Sequence, residues 1–237
     1  MPELGVVQRL ARYPVKSMRG ESLSTTSLTW LGIPGDRRYA FVQAENHSGF
    51  PWLTARQFPQ LLLYRPEVEG AGSEGYPVTV TTPGGKKWPA DSEELRSELE
   101  KQSGRALFLM RNYCGCYDAA PVSLISRQTV ARVAAESGTP EEAWRFRPNV
   151  LVDLTGGEAF EELRWAGRIL RIGATARIAI TKPDERCKII TLDPATGEAS
   201  PAILQCVARN HQSQAGVYAT VLTPGEIREG DPLRLED

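Results

Sequence analysis

The chain has 237 residues, 41% of them hydrophobic and 24% charged, which suits a globular protein able to bury one large core or two smaller ones. Its formal net charge of −1 excludes a bulk field aimed at nucleic acid or at an anionic membrane. No apolar run reaches the roughly 18 residues of a membrane span, and MPELGVVQRLARYPVKS lacks the apolar centre of a signal peptide, so a reducing cytoplasm is the expected compartment.

In chain order, residues 4–10 alternate weakly and read as a strand. Tyr13-Pro14-Val15-Lys16-Ser17 follows, where Pro14 fixes the backbone, so Lys16 and Ser17 fall on a constrained loop. An ammonium beside a hydroxyl is a plausible phosphate grip, though a lone Lys-Ser pair is weakly informative. Residues 22–30 read as a second strand that ends in a turn at Leu31–Gly35. Asp36–Val42 reads as a third, with Asp36 and Arg37 at its mouth, where a solvated ion pair is the plainer interpretation. Leu61–Tyr64 and Tyr76–Thr81 read as strands flanking a Gly-rich turn at 70–75. Asp91–Ser103 has helical spacing, with Leu95 and Leu99 four apart, and stops at Gly104.

Residues 106–113 read as a strand, and the composition shifts around Tyr117–Pro121. A helix is expected over about Arg127–Ser137, ended by Gly138 and Pro140. Phe146–Val152 reads as a buried strand, Trp165–Ile180 as two strands, and Leu204–Asn210 as either helix or loop. Gly216–Leu222 reads as a strand, and Gly225–Leu235 as a turn with a final strand. Many short strands with few helices predict a mixed, predominantly β protein with some α, arranged as two barrel-like units.

The chemistry-bearing residues are few. Of 28 basic residues, 22 are Arg, which grips phosphate through a bidentate fork, although most are scattered. The two histidines, His47 and His211, are far apart and read as surface or loop residues, so no Ser/His/Asp triad is persuasive. Of the four cysteines, Cys114-Gly115-Cys116 lacks the partners and spacing of a zinc site. Cys187 lies in KPDERCKIITLDPATG, directly after Arg186. A neighbouring cation favours thiolate, which is both a nucleophile and a soft metal ligand, whereas most free cysteines are simply small buried apolar residues.

Several segments together resemble the MOSC family, named for the C-terminal domain of molybdenum cofactor sulfurase, preceded by its N-terminal β-barrel-like domain. They are Tyr13–Ser17, Gly35–Arg38, Leu53–Arg56, Pro121–Leu124, Phe146–Asn149, Arg186-Cys187, Asp193-Pro194 with Thr196–Glu198, and Gly216–Tyr218, in the family's order and over nearly the whole chain. The resemblance is nearest to the amidoxime-reducing component and to bacterial hydroxylaminopurine-detoxifying proteins. It implies a β-barrel-like MOSC domain over 114–237, packed against an N-terminal β-rich α+β domain over 1–113. It also implies a molybdenum–molybdopterin cofactor with Cys187 as catalytic residue and metal ligand. Lys16, Ser17, Arg37, Ser123, Arg147, Asn149 and Arg186 fall at motif positions that hold phosphate and pterin.

Two features depart from the family pattern. A Thr often follows the Cys by three residues, where this chain has Ile190, with Thr191 one further on. No four-Cys pattern is present to bind an iron–sulfur cluster, so electrons are expected from a separate donor protein. The implied activity is reduction of small N-hydroxylated compounds, with no nucleic-acid or membrane partner. The alternative is a sulfur-carrying or cofactor-handling protein with a persulfide on Cys187, because both roles need a low-pKa thiol.

Overall fold

A computed structural model describes residues 3–70 and 76–236. The fold is predominantly β, with a seven-stranded barrel and three α-helices. The barrel contains β1 (Glu3–Arg12), β9 (Val122–Ser126), β10 (Val150–Leu154), β11 (Ile169–Ile172), β12 (Ala176–Glu185), β13 (Gln214–Thr223) and β15 (Pro232–Glu236). The strand order is β10-β9-β13-β12-β11-β15-β1, and β1 pairs back onto β10 to close it. The first strand of the chain therefore completes a barrel whose other six strands come from the second half.

Alternation explains the closure. Val7, Leu10, Val122, Leu124, Leu170, Ile172, Ile178 and Ile180 are all buried in one cluster, and residues two apart on a strand face the same way. Among the barrel strands as described, only β9 and β10 pair in parallel, which demands a crossover connection. That connection carries α2 (Arg127–Ser137), packed on the barrel together with α3 (Pro201–Asn210) over a second apolar cluster that includes Val130, Val133, Ile203 and Val207. Ser126 caps α2 by accepting from the Thr129 amide, and Gly138 ends it in the left-handed region at φ 66°.

The rest of the first half surrounds a third cluster. β4 (Tyr39–Gln43) pairs with β8 (Leu107–Arg111), and β5 (Arg65–Val68), β6 (Val78–Thr81) and β7 (Lys87–Pro89) form a three-stranded sheet. Helix α1 (Glu93–Ser103) covers this core with Leu95 and Leu99, as the four-residue spacing predicts.

Several sequence expectations need correction. Leu61–Tyr64 is not a strand but belongs with a 3₁₀ turn at Pro59–Leu63, because Pro59 presets the first turn and adjacent Leu61 and Leu62 are both buried. Residues 22–30 are divided at Ser24 into β2 (Glu21–Leu23), which pairs with β1, and β3 (Thr25–Leu28), which pairs with β14 (Gly225–Arg228). The strand expected over Phe146–Val152 begins only at Val150, since Arg147 takes a left-handed backbone at φ 53°. Leu204–Asn210 resolves as helix. Of the Gly-rich turn expected at 70–75, residues 71–75 lie outside the described residues.

Candidate functional site

Both halves of the chain line one cavity of about 260 Å³, close to the ~300–1,000 Å³ usual for small-molecule sites. Lys16, Ser17 and Arg37 reach it from the first half, and Ser123, Arg147, Arg186 and Cys187 from the second. Seven of the eight residues singled out in the sequence are thus brought together. Asn149 is not in the lining. It is buried behind the wall, where its Oδ1 accepts from the Ser123 amide (3.1 Å) and from Arg37 Nη1 (3.2 Å), and its Nδ2 donates to the Ala11 carbonyl (3.2 Å). Asn149 ties β1, β9 and the Arg37 loop together and so positions the cavity's cations.

Asp36 and Arg37 are not a solvated pair. Asp36 is fully buried, with Oδ1 accepting from the Tyr13 amide (2.7 Å) and Oδ2 from Arg37 Nη1 (2.5 Å). Arg37 also donates from Nη2 to the Arg147 carbonyl (3.1 Å), and both guanidinium groups lie over the Tyr13 ring, at 4.7 Å for Arg37 and 4.3 Å for Arg147. Burial pushes the Tyr13 hydroxyl up to about 12 against the pull of the two cations, so it stays a neutral donor, and it bonds the Pro148 carbonyl (3.1 Å).

Arg147 differs from its neighbours. Its Nη1 donates to the Met18 carbonyl (2.7 Å), yet no carboxylate among the described residues pairs with it. Burial lowers its guanidinium to about 10, and Arg37 adds to the fall, so it remains charged at neutral pH. Ser17 is buried in the same wall, and its hydroxyl makes no hydrogen bond among the described residues. Ser17, Arg37 and Arg147 all take positive φ, at 66°, 49° and 53°. Such conformations cost about 1–2 kcal/mol each outside glycine and gather at functional sites.

Lys16 extends to the Cys116 carbonyl (2.7 Å) and Asp118 Oδ1 (2.8 Å), and lies 4.7 Å from the Trp52 ring centroid. Burial lowers its pKa, while Asp118 opposes the fall. Arg186 spends its guanidinium on partners other than the thiol that follows it. Its Nε donates to the Ala215 carbonyl (2.6 Å), its Nη1 to the Phe146 carbonyl (2.9 Å), and Nη1 also pairs with Asp184 (2.8 Å). Its fork therefore braces the loop before Arg147 against β13. Gly216 is needed at this point, because a Cβ there would lie 2.9 Å from Arg186 Nη2 and 2.7 Å from the Leu124 carbonyl.

Cys187 is an exposed free cysteine at the position before the 3₁₀ turn Lys188–Thr191, and its side chain makes no capping bond to that turn. Its neighbours are fixed in two cores: Ile190 packs with the helices, and Leu192 enters the core of the first half. Thr191 faces away from the cavity and passes its carbonyl to Arg145 Nη1 (3.1 Å), while Arg145 Nη2 holds Asp193 (2.8 Å). Asp193 Oδ1 accepts from the amides of Ala195 and Thr196, closing the acidic turn on itself. The Asp193–Gly197 stretch therefore acts as scaffold for the thiol.

Sequence reasoning missed Asp118, Asp184 and Tyr218 in the lining. Tyr218 stood inside the Gly216–Tyr218 motif and Asp184 inside the stretch around Cys187 without being singled out, and Asp118 lay only near a motif. Asp184 is buried. Burial pushes its carboxyl up, Arg186 draws it down, and the net shift is upward. The donor set offers one soft sulfur, a guanidinium without a carboxylate partner and a free hydroxyl on one cavity. That is the chemistry required by a thiolate-ligated metal carried on a phosphorylated organic group.

Known proteins bear on this arrangement. Over 98% of this chain and 94% of the other, it superimposes on the crystal structure of the YuaD protein from Bacillus subtilis, with a TM-score of 0.52 at 14% identity, a likeness of fold. It is 25% identical to rat mitochondrial amidoxime reducing component 2, over 98% of this chain and 84% of that protein. It is 26% identical to the molybdenum cofactor sulfurase of Drosophila grimshawi over 95% of this chain, which spans about a third (34%) of that longer protein. The MOSC N-terminal beta barrel domain model matches residues 4–115 and the MOSC domain model residues 112–234. The chain belongs to the MOSC domain family.

Proposed function

We propose that this protein binds a molybdenum–molybdopterin cofactor and reduces small N-hydroxylated compounds with electrons from a separate donor protein. The observation that carries the reading is Arg147, a cavity guanidinium with no carboxylate partner, facing the same space as the Cys187 thiol. A family relationship to proteins named for molybdenum cofactor sulfuration and amidoxime reduction supports it. Arg147, Ser17 and Lys16 would hold the phosphate end, with Arg37 and Ser123 beside the pterin and Cys187 on the metal. The bound cofactor would supply two-electron reduction of an N–O bond.

The remaining work falls to the chain. Conversion of R–NHOH to R–NH₂ and water takes up two electrons and two protons. Asp184, buried in the lining beside Tyr218 and paired with Arg186 Nη1 (2.8 Å), is the acid held in position to pass a proton from its carboxyl. Asn149 and Asp36 keep Arg37 and Arg147 in register. Residues 1–113 and 114–237 act as two functional units across the cavity, with β1 as the strand the first lends to the barrel of the second. Among the described residues no helix is long and apolar enough to cross a membrane.

The test is expression in a host that makes the cofactor, followed by molybdenum and pterin analysis and turnover of an amidoxime with a chemical reductant. About one molybdenum per chain together with turnover supports the reading. A labile sulfane sulfur on Cys187 without molybdenum would instead establish the sulfur-carrier role.

A further inference from the structure

Away from the cavity, the last turns of α2 and α3 converge on three different metal-ligating groups. Glu136 lies in the last turn of α2, Cys206 is buried on α3, and His211 is the residue that ends α3. Their ligand atoms all lie within 4.8 Å of one another. Cys206 Sγ is 3.4 Å from Glu136 Oε2, and His211 Nε2 is 2.7 Å from that oxygen.

We propose that Glu136 Oε2, Cys206 Sγ and His211 Nε2 form a binding site for a zinc-class divalent cation, with a fourth position open to water. Tetrahedral zinc with ordinary bond lengths would separate sulfur from oxygen by about 3.5 Å and nitrogen from oxygen by about 3.3 Å. The first separation is already present, and the second requires the His–Glu hydrogen bond to open by roughly 0.6 Å. The imidazole plane is preset, because His211 stacks on Phe160 with centroids 3.8 Å apart. The Phe160 amide is itself bonded to Thr129 Oγ1 on α2 (2.6 Å).

Electrostatics favours a cation here. Two helix C-termini carry their negative dipole ends to the same point, and Glu136 adds a carboxylate at the unfavourable end of α2, which has no basic residue in its last turn. Arg132, 3.8 Å away, is the one ion-pairing guanidinium for Glu136 among the described residues. Burial and the Glu136 carboxylate hold the Cys206 thiol protonated without metal, so binding releases a proton as the sulfur becomes a thiolate. The mixed S/N/O set suits zinc and cobalt, and disfavours magnesium and calcium.

The experiment is titration of the full chain with Co²⁺, read as a sulfur-to-cobalt charge-transfer band in the near-ultraviolet, followed by displacement with Zn²⁺. One equivalent should bind, and the band should persist in Cys187→Ser and vanish in Cys206→Ser. His211→Ala and the surface change Glu136→Gln should each weaken Zn²⁺ binding by more than the roughly 10–100-fold that loss of an outer partner costs. Glu136→Gln keeps the test open if Cys206→Ser does not fold. The proposal fails if no band develops, if the band follows Cys187, or if Glu136→Gln leaves the affinity unchanged. Any of these outcomes would make the cluster a hydrogen-bonded tie between two helices.

Discussion

At the scale of single residues, Cys187 and Arg147 make opposite demands that separate binding from chemistry. Cys187→Ser should reduce turnover to background, because a hydroxyl is a hard, weakly acidic ligand that does not replace a soft thiolate. The thiol is exposed, so stability should change by no more than about 0.5 kcal/mol, checked by chemical denaturation. Arg147→Ala should lower the pterin and molybdenum content of the purified protein while leaving Cys187 open to alkylation. Its cost in stability should be about 1–3 kcal/mol, for the Met18 carbonyl it leaves unpaired. Asp184 gives a prediction with a sign. Its folded-state pKa lies above that of a free carboxyl, chiefly because of burial, so the protonated form persists to higher pH and is lost as pH rises through the raised value. The rate of reduction should fall along that limb, and Asp184→Asn should lower kcat and remove the limb from the pH–rate profile.

Among the elements, the start of α2 carries an unusual load. Ser126 is fully buried, and besides capping the helix its hydroxyl bonds Glu162 Oε2 (2.9 Å), which Thr129 Oγ1 also reaches (3.0 Å). Burial pushes the Glu162 carboxyl up, opposed by these same bonds. Ser126→Ala removes a cap and strips a buried acid of a donor, so it should destabilise by about 2–3 kcal/mol, measured as a lowered urea midpoint with unchanged slope. The 3₁₀ turn after Cys187 works differently. Ile190 and Leu192 enter two separate cores, so the turn that carries the exposed thiol is anchored in both, and its placement depends on the two halves staying packed.

For the whole molecule, closure of the barrel is the decisive event, and Gly5 is where it can be tested. Gly5 pairs with Leu154 of β10 and with Leu233 of β15. A Cβ there would lie 2.1 Å from the Asp153 carbonyl oxygen, a backbone atom that cannot swing aside. Gly5→Ala should therefore lower stability by at least about 1–3 kcal/mol. Because β1 leads directly into Tyr13 and Lys16, it should also loosen cofactor retention although Gly5 touches no site residue. Thermal melting and pterin content measured on the same preparation check both effects.

What the sequence determined by itself was local. Period-two alternation marked β1, β11 and β12, and Leu95 with Leu99 marked α1, whereas β9 carried no such pattern. Gly104 and Gly138 marked the ends of two helices, because stop signals and periodicity act over a few residues, while the Ser92 and Ser126 caps emerged only in the structure. Ordered short motifs also brought out seven of the residues that meet in the cavity. The tertiary structure decided what depends on long-range partners. It paired Arg186 with Asp184 and with the Ala215 carbonyl of β13 passing beside it. It placed Asn149 behind the wall, buried Asp36 completely, and left Arg147 without an acid. It also brought Glu136 to residues more than sixty positions away, a meeting created by the packing of α2 on α3. Hydrogen-bond and charge partners of this kind are selected by which strands close the barrel and which helices then share a face, and no local pattern encodes that selection.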